Sequence, residues 1–399
     1  MNFSNNLSSL LPTFFFAAQQ IQREKTALIE SVTVNADVAQ IAKGMTATFP
    51  IAPPAQLYDV TPGTLPTING ETAGVGTLAI TDSQAGAFVY TGEEQRQLAI
   101  GGIYNNHYLN QIMERMRSIR NAVEKSLSGA AQLASRAIGT AGTAPFAVNL
   151  AANPTVTGME PFAAINKEMT DTGSPGIGRG LALGSTAGAK LRNVPNLYRA
   201  NEAGDNRMLR TGEIGVIEGF ACSESGQIKP VAACGTGSGY QFVGAHAKGS
   251  TTITVDTGSG TILKGDIFSL ASSVGRQYVA TSALSGGILT IARPGLMDDC
   301  PDNDALTLNT TVFTPNLAMT KDAIHLVARH PLLPGVGGQA SGNGGAGGIL
   351  LDTANIPDPG TGLIYQVCMW SMYRQIMIEL ALSWGYAVVN PQDLYVLLG

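Results

Sequence analysis

Along residues 103–138 apolar side chains return every three or four positions, at Ile112, Met116, Ile119, Val123, Leu127, Ala130, Ala134 and Ile138. That spacing gathers them on one stripe of an amphipathic α-helix. At 1.5 Å per residue the helix would run about 50 Å, roughly three times the mean helix, with Gly129 as a place to bend. Between residues 101 and 140 five basic residues (Arg115, Arg117, Arg120, Lys125, Arg136) face two acidic ones (Glu114, Glu124), a local charge of +3. An element this long with one sticky face needs a broad partner surface, and the rest of the chain has to supply it.

The flanking segments differ in kind. Residues 12–31 predict a short helix with Pro12 in its first turn and a mixed face of Phe16, Gln20, Arg23, Ala27 and Glu30. From Thr46 to Thr91 short β-rich pieces are broken by Pro and Gly, and "GTLAITDSQAGAFVYTG" predicts a long hairpin-like arm turning at its Ser, Gln and Gly residues. Residues 159–171 predict a helix, "RGLALGS" a strand, and "RMLRTGEIGVIEGFACSES" a second strand with Gly on either side of "VIE". Residues 229–310 change again: "STTITVDT", "DIFSLAS", "RQYVATSAL" and "GGILTIARP" have the strand spacing of a small all-β insertion. The α+β character resumes with "DAIHLVARHPL", a glycine-rich loop from Gly335 to Gly348, and a strand-rich tail.

In the tail, Ile376, Ile378, Leu380, Leu382 and Trp384 alternate with Met377, Glu379, Ala381 and Ser383, the period of a strand with one strongly apolar face. Asn390 and Pro391 then turn the chain, and "LYVLL" is expected to return as a second strand filling the same layer. A membrane anchor is excluded there because "NPQD" leaves pieces far shorter than the roughly 20 residues of a span.

Composition narrows the function classes. At 399 residues the chain exceeds one ordinary core, so several domains or long extensions are expected. Only 13% of residues are charged, about half the usual share, so much of the surface is expected to meet other protein. Gly (48) and Pro (20) are abundant, which predicts loops and extended segments. A net charge of -5 argues against sequence-specific nucleic-acid binding by the whole chain. Cys222, Cys234, Cys300 and Cys368 are scattered and predict neither a zinc site nor a disulfide framework, which fits a reducing cytoplasm. No basic residue precedes the apolar patch of "MNFSNNLSSLLPTFFFAAQQ", so no signal peptide is expected.

No chemistry emerges from motif spacing. "GIGRGLALG", "GTGSGY" and "GVGGQASGNGGAGG" lack the G-K-[ST] ending of a phosphate loop and are expected to be plain loops. His325 and His330 fall on opposite faces of a strand-like segment, so no metal pair is expected. The acidic run from Asp298 to Asp304 lacks the Gly and closing Glu of a calcium loop and is expected to be a turn. No G-x-S-x-G occurs and no Cys adjoins a plausible base. The basic helix face could meet phosphates, although such a face is more often solvated or turned to another subunit. Catalytic, cofactor-binding and metal residues are therefore all expected to be none, and the chain is expected not to be an enzyme.

The order of parts resembles the major capsid (coat) proteins of tailed bacteriophages, across most of the chain. "FFFAAQQIQREKTALIESV" resembles their N-arm, Thr46 to Thr91 their extended E-loop, and Ile103 to Ile138 their spine helix. "RMLRTGEIGVIEGFACSESGQI" is similar to the segment leading into the central domain, and "NLAMTKDAIHLVARHPLLP" and "WGYAVVNPQDLYVL" to the last strands. The resemblance implies an α+β capsid fold divided as N-arm 1–45, E-loop 46–100, spine helix 101–140 and peripheral and axial body 141–228. An inserted all-β domain at 229–310, as in some short-tailed phages, and a return to the body at 311–399 complete it. It implies a structural protein of the icosahedral head shell around double-stranded DNA, built of hexamers and pentamers of this chain in a host bacterial cytoplasm. A separate scaffolding protein, a portal protein and non-specific contact with packaged DNA are the implied partners, with no membrane and no cofactor. No Lys lies between Lys43 and Lys125, so the isopeptide weld that some relatives start from an E-loop lysine cannot begin there. An encapsulin-like compartment shell, an α+β enzyme and a surface adhesin are the alternatives.

Overall fold

The computed structural model describes residues 17, 26–35, 41–51, 60, 62–63, 74–100, 104–147, 158–198, 210–212, 214–332, 349–358 and 360–399. The fold is α+β. In chain order the first elements are α1 (Leu28–Ser31), β1 (Thr33–Val34), β2 (Thr46–Ile51), β3 (Gly74–Ala79), β4 (Asp82–Thr91), α2 (Gly92–Ile100) and α3 (Tyr104–Ser128). Then come β5 (Arg136–Ile138), α4 (Glu160–Asp171), β6 (Arg179–Gly184), α5 (Ser185–Arg192), α6 (Pro195–Tyr198), β7 (Val216–Ile217) and β8 (Phe220–Ser225). The β-rich stretch holds β9 (Tyr240–Phe242), β10 (Thr252–Asp256), β11 (Ile267–Leu270), β12 (Gln277–Val279), β13 (Ile288–Thr290) and β14 (Ala305–Leu308). The chain closes with β15 (Pro315–Thr320), β16 (Ile324–Arg329), β17 (Ile349–Pro357), β18 (Ile364–Met372), β19 (Gln375–Val388) and β20 (Leu394–Leu398).

The apolar stripe forms the long helix, but the helix is shorter than its spacing predicts. α3 stops at Ser128, residues Gly129–Leu133 form a 3₁₀ turn, and Arg136–Ile138 is strand. Its 25 residues span about 37 Å. Tyr386 packs closely where the helix gives way: a Cβ on Gly129 would stand 2.9 Å from its hydroxyl. Ala130 and Ala134 stay buried beyond that point, because a repeat of three or four does not distinguish α from 3₁₀ geometry. Tyr108, Ile112, Met116, Ile119, Val123 and Leu127 pack on β4, β18 and β19 in the largest core cluster.

That cluster covers a six-stranded sheet of order β1-β16-β19-β18-β17, with β4 on the other edge of β19. β19 is as expected: Ile378, Leu380, Leu382 and Trp384 enter the core. The predicted hairpin within 74–91 does not form. β3 pairs with β2 in a separate ribbon, Thr46↔Ala79 to Ile51↔Gly74, whereas β4 runs ten residues along β19, Gln375↔Thr91 to Trp384↔Asp82. The chain breaks at Ile80–Thr81, where Ile80 is buried with Leu78 and Val327. Phe88 and Tyr90 are core residues, so Asp82–Thr91 belongs to the body and only the ribbon is an arm.

A second sheet of twelve strands runs β13-β10-β9-β14-β11-β12-β5-β20-β15-β6-β8-β7. Its body half is buried on both faces, which is why its strands are apolar runs without alternation. Ala182, Leu317, Met319, Leu394, Val396 and Leu398 face the long-helix core. Leu181, Leu183, Ala318, Tyr395 and Leu397 face α4 and α5 instead. The tail expectation holds for the core and not for the sheet: Leu394, Val396 and Leu398 of "LYVLL" fill the same core as Ile378, Leu380 and Leu382 of β19, but the strand lies in the other sheet. The turn Pro391–Asp393 carries it into the other sheet, between β15 and β5, and the Ser174 hydroxyl donates to the Asp393 carboxylate at that turn.

The β-rich segment has its own core, drawn from Tyr240 to Leu308, yet it is not a separate sheet. β12 continues the body sheet through Gln277↔Ala137 and Tyr278↔Arg136. "VIE" is a tight hairpin, with Glu218 and Gly219 at positive φ joining β7 to β8. The expected 159–171 helix is α4. Of the expected 12–31 helix, Ala17, helical and buried, and the end, as α1, are described, and residues 12–16 and 18–25 lie outside the described residues, as does the loop from Gly335 to Gly348. No helix among the described residues is long and apolar enough to cross a membrane.

Candidate assembly surface

The residues singled out for possible chemistry are dispersed by the fold. His325 lies on β16, its ring stacked on Phe49 at 6.3 Å, and His330 stands just past the strand's end. The acidic run is a set of loop anchors that look in different directions. Asp298 accepts from Ser273 Oγ (2.8 Å) and Arg276 Nη1 (2.6 Å), Asp299 from the Lys248 amide, Asp302 from the Gly244 amide and Asp304 from Ser272. In "GTGSGY" the Gly235 amide donates to the Asp266 carboxylate at 3.0 Å, and so does Leu263 at 2.6 Å. The first glycine of the loop thus binds an internal carboxylate. Burial raises the Asp266 carboxyl above its ordinary range against these bonds. No group of three or more His, Cys, Asp or Glu is arranged to hold a metal among the described residues.

What the spacing did not single out is a set of polar seams where elements join. Arg120 and Glu124 interrupt the apolar stripe of α3 on its buried side. Arg120 meets Asp358 at 3.0 Å, and Asp358 also accepts from the Gly360 amide (3.0 Å) and Thr361 Oγ1 (2.6 Å), tying the long helix to the β17–β18 turn. Glu124 accepts the Leu28 and Ile29 amides at 3.0 and 2.9 Å, holding α1 against α3. Arg136 pairs with Glu168 in the interior, and Arg276 reaches Asp298, Asp171 (3.6 Å) and Glu168 (3.8 Å), joining the β-rich unit to α4. Arg192 pairs with Glu224 between α5 and β8. Two charges one turn apart inside an apolar stripe were the available signal for Arg120 and Glu124. The others pair across 22 to 108 positions of sequence and left none.

Apolar side chains are exposed beside the β2–β3 ribbon and at the β18–β19 turn. The β2–β3 ribbon alternates exposed and half-buried residues on both strands, and Met45 (59%) and Val75 (68%) are open to solvent. An isolated two-stranded ribbon is marginal in water. Its root is held by Leu78, Ile80 and Val327 with Phe49 against them. At the β18–β19 turn Tyr373 is 87% exposed, with the Arg374 guanidinium 5.7 Å from its ring centre.

No protein-family model matches the sequence, and no curated protein matches it. Among solved structures, one from Mycobacterium phage Che8 is similar at 14% identity, covering 94% of this chain and 91% of that chain, with a TM-score of 0.48. The capsid structure of cyanophage P-SCSP1u is similar at 14% identity over 94% of this chain and 88% of that chain, TM-score 0.46. A virus-like particle from Pyrococcus furiosus is similar at 8% identity over 97% and 98%, TM-score 0.43.

Proposed function

We propose that this chain is the shell-forming subunit of a tailed-phage head, a structural protein rather than an enzyme, assembling as hexamers and pentamers around double-stranded DNA. A separate scaffolding protein, a portal at one vertex and non-specific contacts with packaged DNA complete the proposal. So do assembly in a bacterial cytoplasm and the division into N-arm, E-loop, spine helix, body and β insertion. The observation that carries it is the β2–β3 ribbon, an extended arm rooted in the body with apolar residues open on its length. Such an arm is stabilised by lying on another subunit. The order of parts quoted from the sequence supports the same reading.

The test is assembly with a shortened ribbon. Replacing Pro50–Val75 by Asn-Gly keeps Phe49, Leu78 and Ile80 at the root and closes the strands with a two-residue turn. Co-expressed with a scaffolding protein, the full chain is expected to give closed particles in electron micrographs, and the shortened chain a folded subunit that gives none. Normal particle yield from the shortened chain removes the ribbon's role. A full chain that stays monomeric with scaffold removes the shell reading, and particles filled with cargo protein instead of DNA make it a compartment.

A further inference from the structure

Where the body meets the β-rich unit the two leave a cavity of about 330 Å³. Ala131, Phe313 and Val396 line it from the body and Ile267 and Val279 from the β-rich unit, all of them buried. Ala232, Ala233 and Lys264 are exposed members of the lining and mark its opening to solvent, and Cys234 is a half-buried member. Both the size and the mix of apolar wall with few polar groups are those of a small-molecule site.

One buried charged side chain belongs to this wall. Asp266 is 3% exposed and lines the cavity. The Gly235 amide is shared between its two oxygens, at 3.1 Å from Oδ1 and 3.0 Å from Oδ2, and the Leu263 amide donates to Oδ2 at 2.6 Å. Oδ1 therefore has only a share of one donor, although a carboxylate can accept about four hydrogen bonds. Its bonds all come from donors, which favours the carboxylate form. No Lys, Arg or His among the described residues pairs with it, and Lys264 on the same loop is exposed. An interior carboxylate with no cation opposite it carries a desolvation cost that a counter-charge offsets.

We propose that this cavity is a binding site for a small primary alkylammonium, with the ammonium on Asp266 and the hydrocarbon stem against Ile267, Val279, Phe313 and Val396. The walls call for a ligand that is apolar along most of its surface and positively charged at one end. An ammonium is a compact charge whose three donors suit a single carboxylate, whereas a planar guanidinium brings five donors in a fixed fork that one carboxylate does not fill. An anionic ligand meets the Asp266 charge, and a neutral stem leaves that charge unpaired. Because the walls come from both units, the bound molecule bridges them, as the β12–β5 pairing does. The inference does not rest on the shell reading.

Calorimetry on the unassembled full chain tests it, with hexylammonium chloride as the probe and hexanol and sodium hexanoate as controls carrying a similar stem. The expected result is saturable binding of one hexylammonium, binding of hexanol about tenfold weaker or less because the charge-assisted bond is missing, and no saturable binding of hexanoate. Hexylammonium should also slow the modification of Cys234 by a thiol reagent, because that residue shares the cavity. Asp266→Asn should weaken hexylammonium about tenfold and bring it level with hexanol. Ala131→Leu, which adds a larger side chain to the wall, should weaken both probes. Equal affinity for hexylammonium and hexanol, hexylammonium binding unchanged by Asp266→Asn or by Ala131→Leu, binding that leaves the Cys234 rate unaltered, or no binding of hexylammonium overturns the proposal. If Asp266→Asn does not fold, the wild type with the three probes and the Cys234 rate decides alone.

Discussion

Gly385 of β19 lies directly against Ala79 at the root of the ribbon: a Cβ added to Gly385 would overlap the Ala79 carbonyl oxygen. The close crossing seats Leu78 and Ile80 on Val327, and it fixes the direction in which the ribbon leaves the body.

Gly385→Ala should therefore push the ribbon root off the sheet. The obstacle is backbone on both sides and cannot swing away, so a cost of about 1–3 kcal/mol is expected. Denaturant unfolding of the soluble subunit measures it, and a variant with wild-type stability would show that the two strands can separate freely.

Asp358→Ala should destabilise more. It leaves Arg120 in the interior facing a site that has lost its counter-charge, for which about 3–5 kcal/mol is expected. Asp358→Asn, which keeps an acceptor for Gly360 and Thr361, should cost less. Equal midpoints for the two variants would show that charge plays no part in the seam.

Removal of Asp393–Gly399 takes out Leu394, Tyr395, Val396, Leu397 and Leu398, all 2% exposed or less. It also removes a strand from between β15 and β5. At about 1.5–3 kcal/mol for each large side chain the loss exceeds much of a typical margin of about 5–15 kcal/mol. The truncated chain is expected in the insoluble fraction. A soluble product with the melting temperature of the full chain would contradict the central place of β20.

The isolated fragment 229–310 should fold, because its core is drawn from within it and two residue pairs join β12 to β5. A dispersed amide spectrum is expected. In the full chain, Arg276→Ala should speed exchange at Gln277–Val279 by removing the contacts to Asp171 and Asp298. A fragment spectrum without dispersion would mean the body templates this unit.

The thiols should be slow nucleophiles. Burial pushes Cys222 up to about 12 and Cys368 to about 11, and it raises Cys234 and Cys300 as well. At pH 8 the reactive thiolate is therefore scarce in the folded chain, and Cys222 and Cys368 should be alkylated only as the chain unfolds. Labelling of either at the rate of a free cysteine would show that its site opens to solvent.

The tail strand, the helix at 159–171, the long helix and the β-rich unit were legible in the sequence because each depends on a local period. Ile378, Leu380, Leu382 and Trp384 need only alternate to declare a strand with one apolar face. Period does not specify a partner. Asp82–Thr91 has the pattern of a hairpin arm, yet it pairs with residues some 290 positions later, and the Gly385 crossing that places the ribbon is visible only once β3 and β19 meet. Ala130 and Ala134 keep the helical repeat after the helix has ended, because a spacing of three or four serves α and 3₁₀ geometry alike, and the close approach of Tyr386 to Gly129 comes from far along the sequence. "LYVLL" is buried on both faces, so its own residues do not choose between two layers; the turn at Pro391–Asp393 and the free edges of β15 and β5 chose. The seams at Arg120, Glu124, Arg136 and Arg276 follow the same rule: a charge is tolerable in the interior only where a partner waits, and tertiary structure alone brings that partner to it.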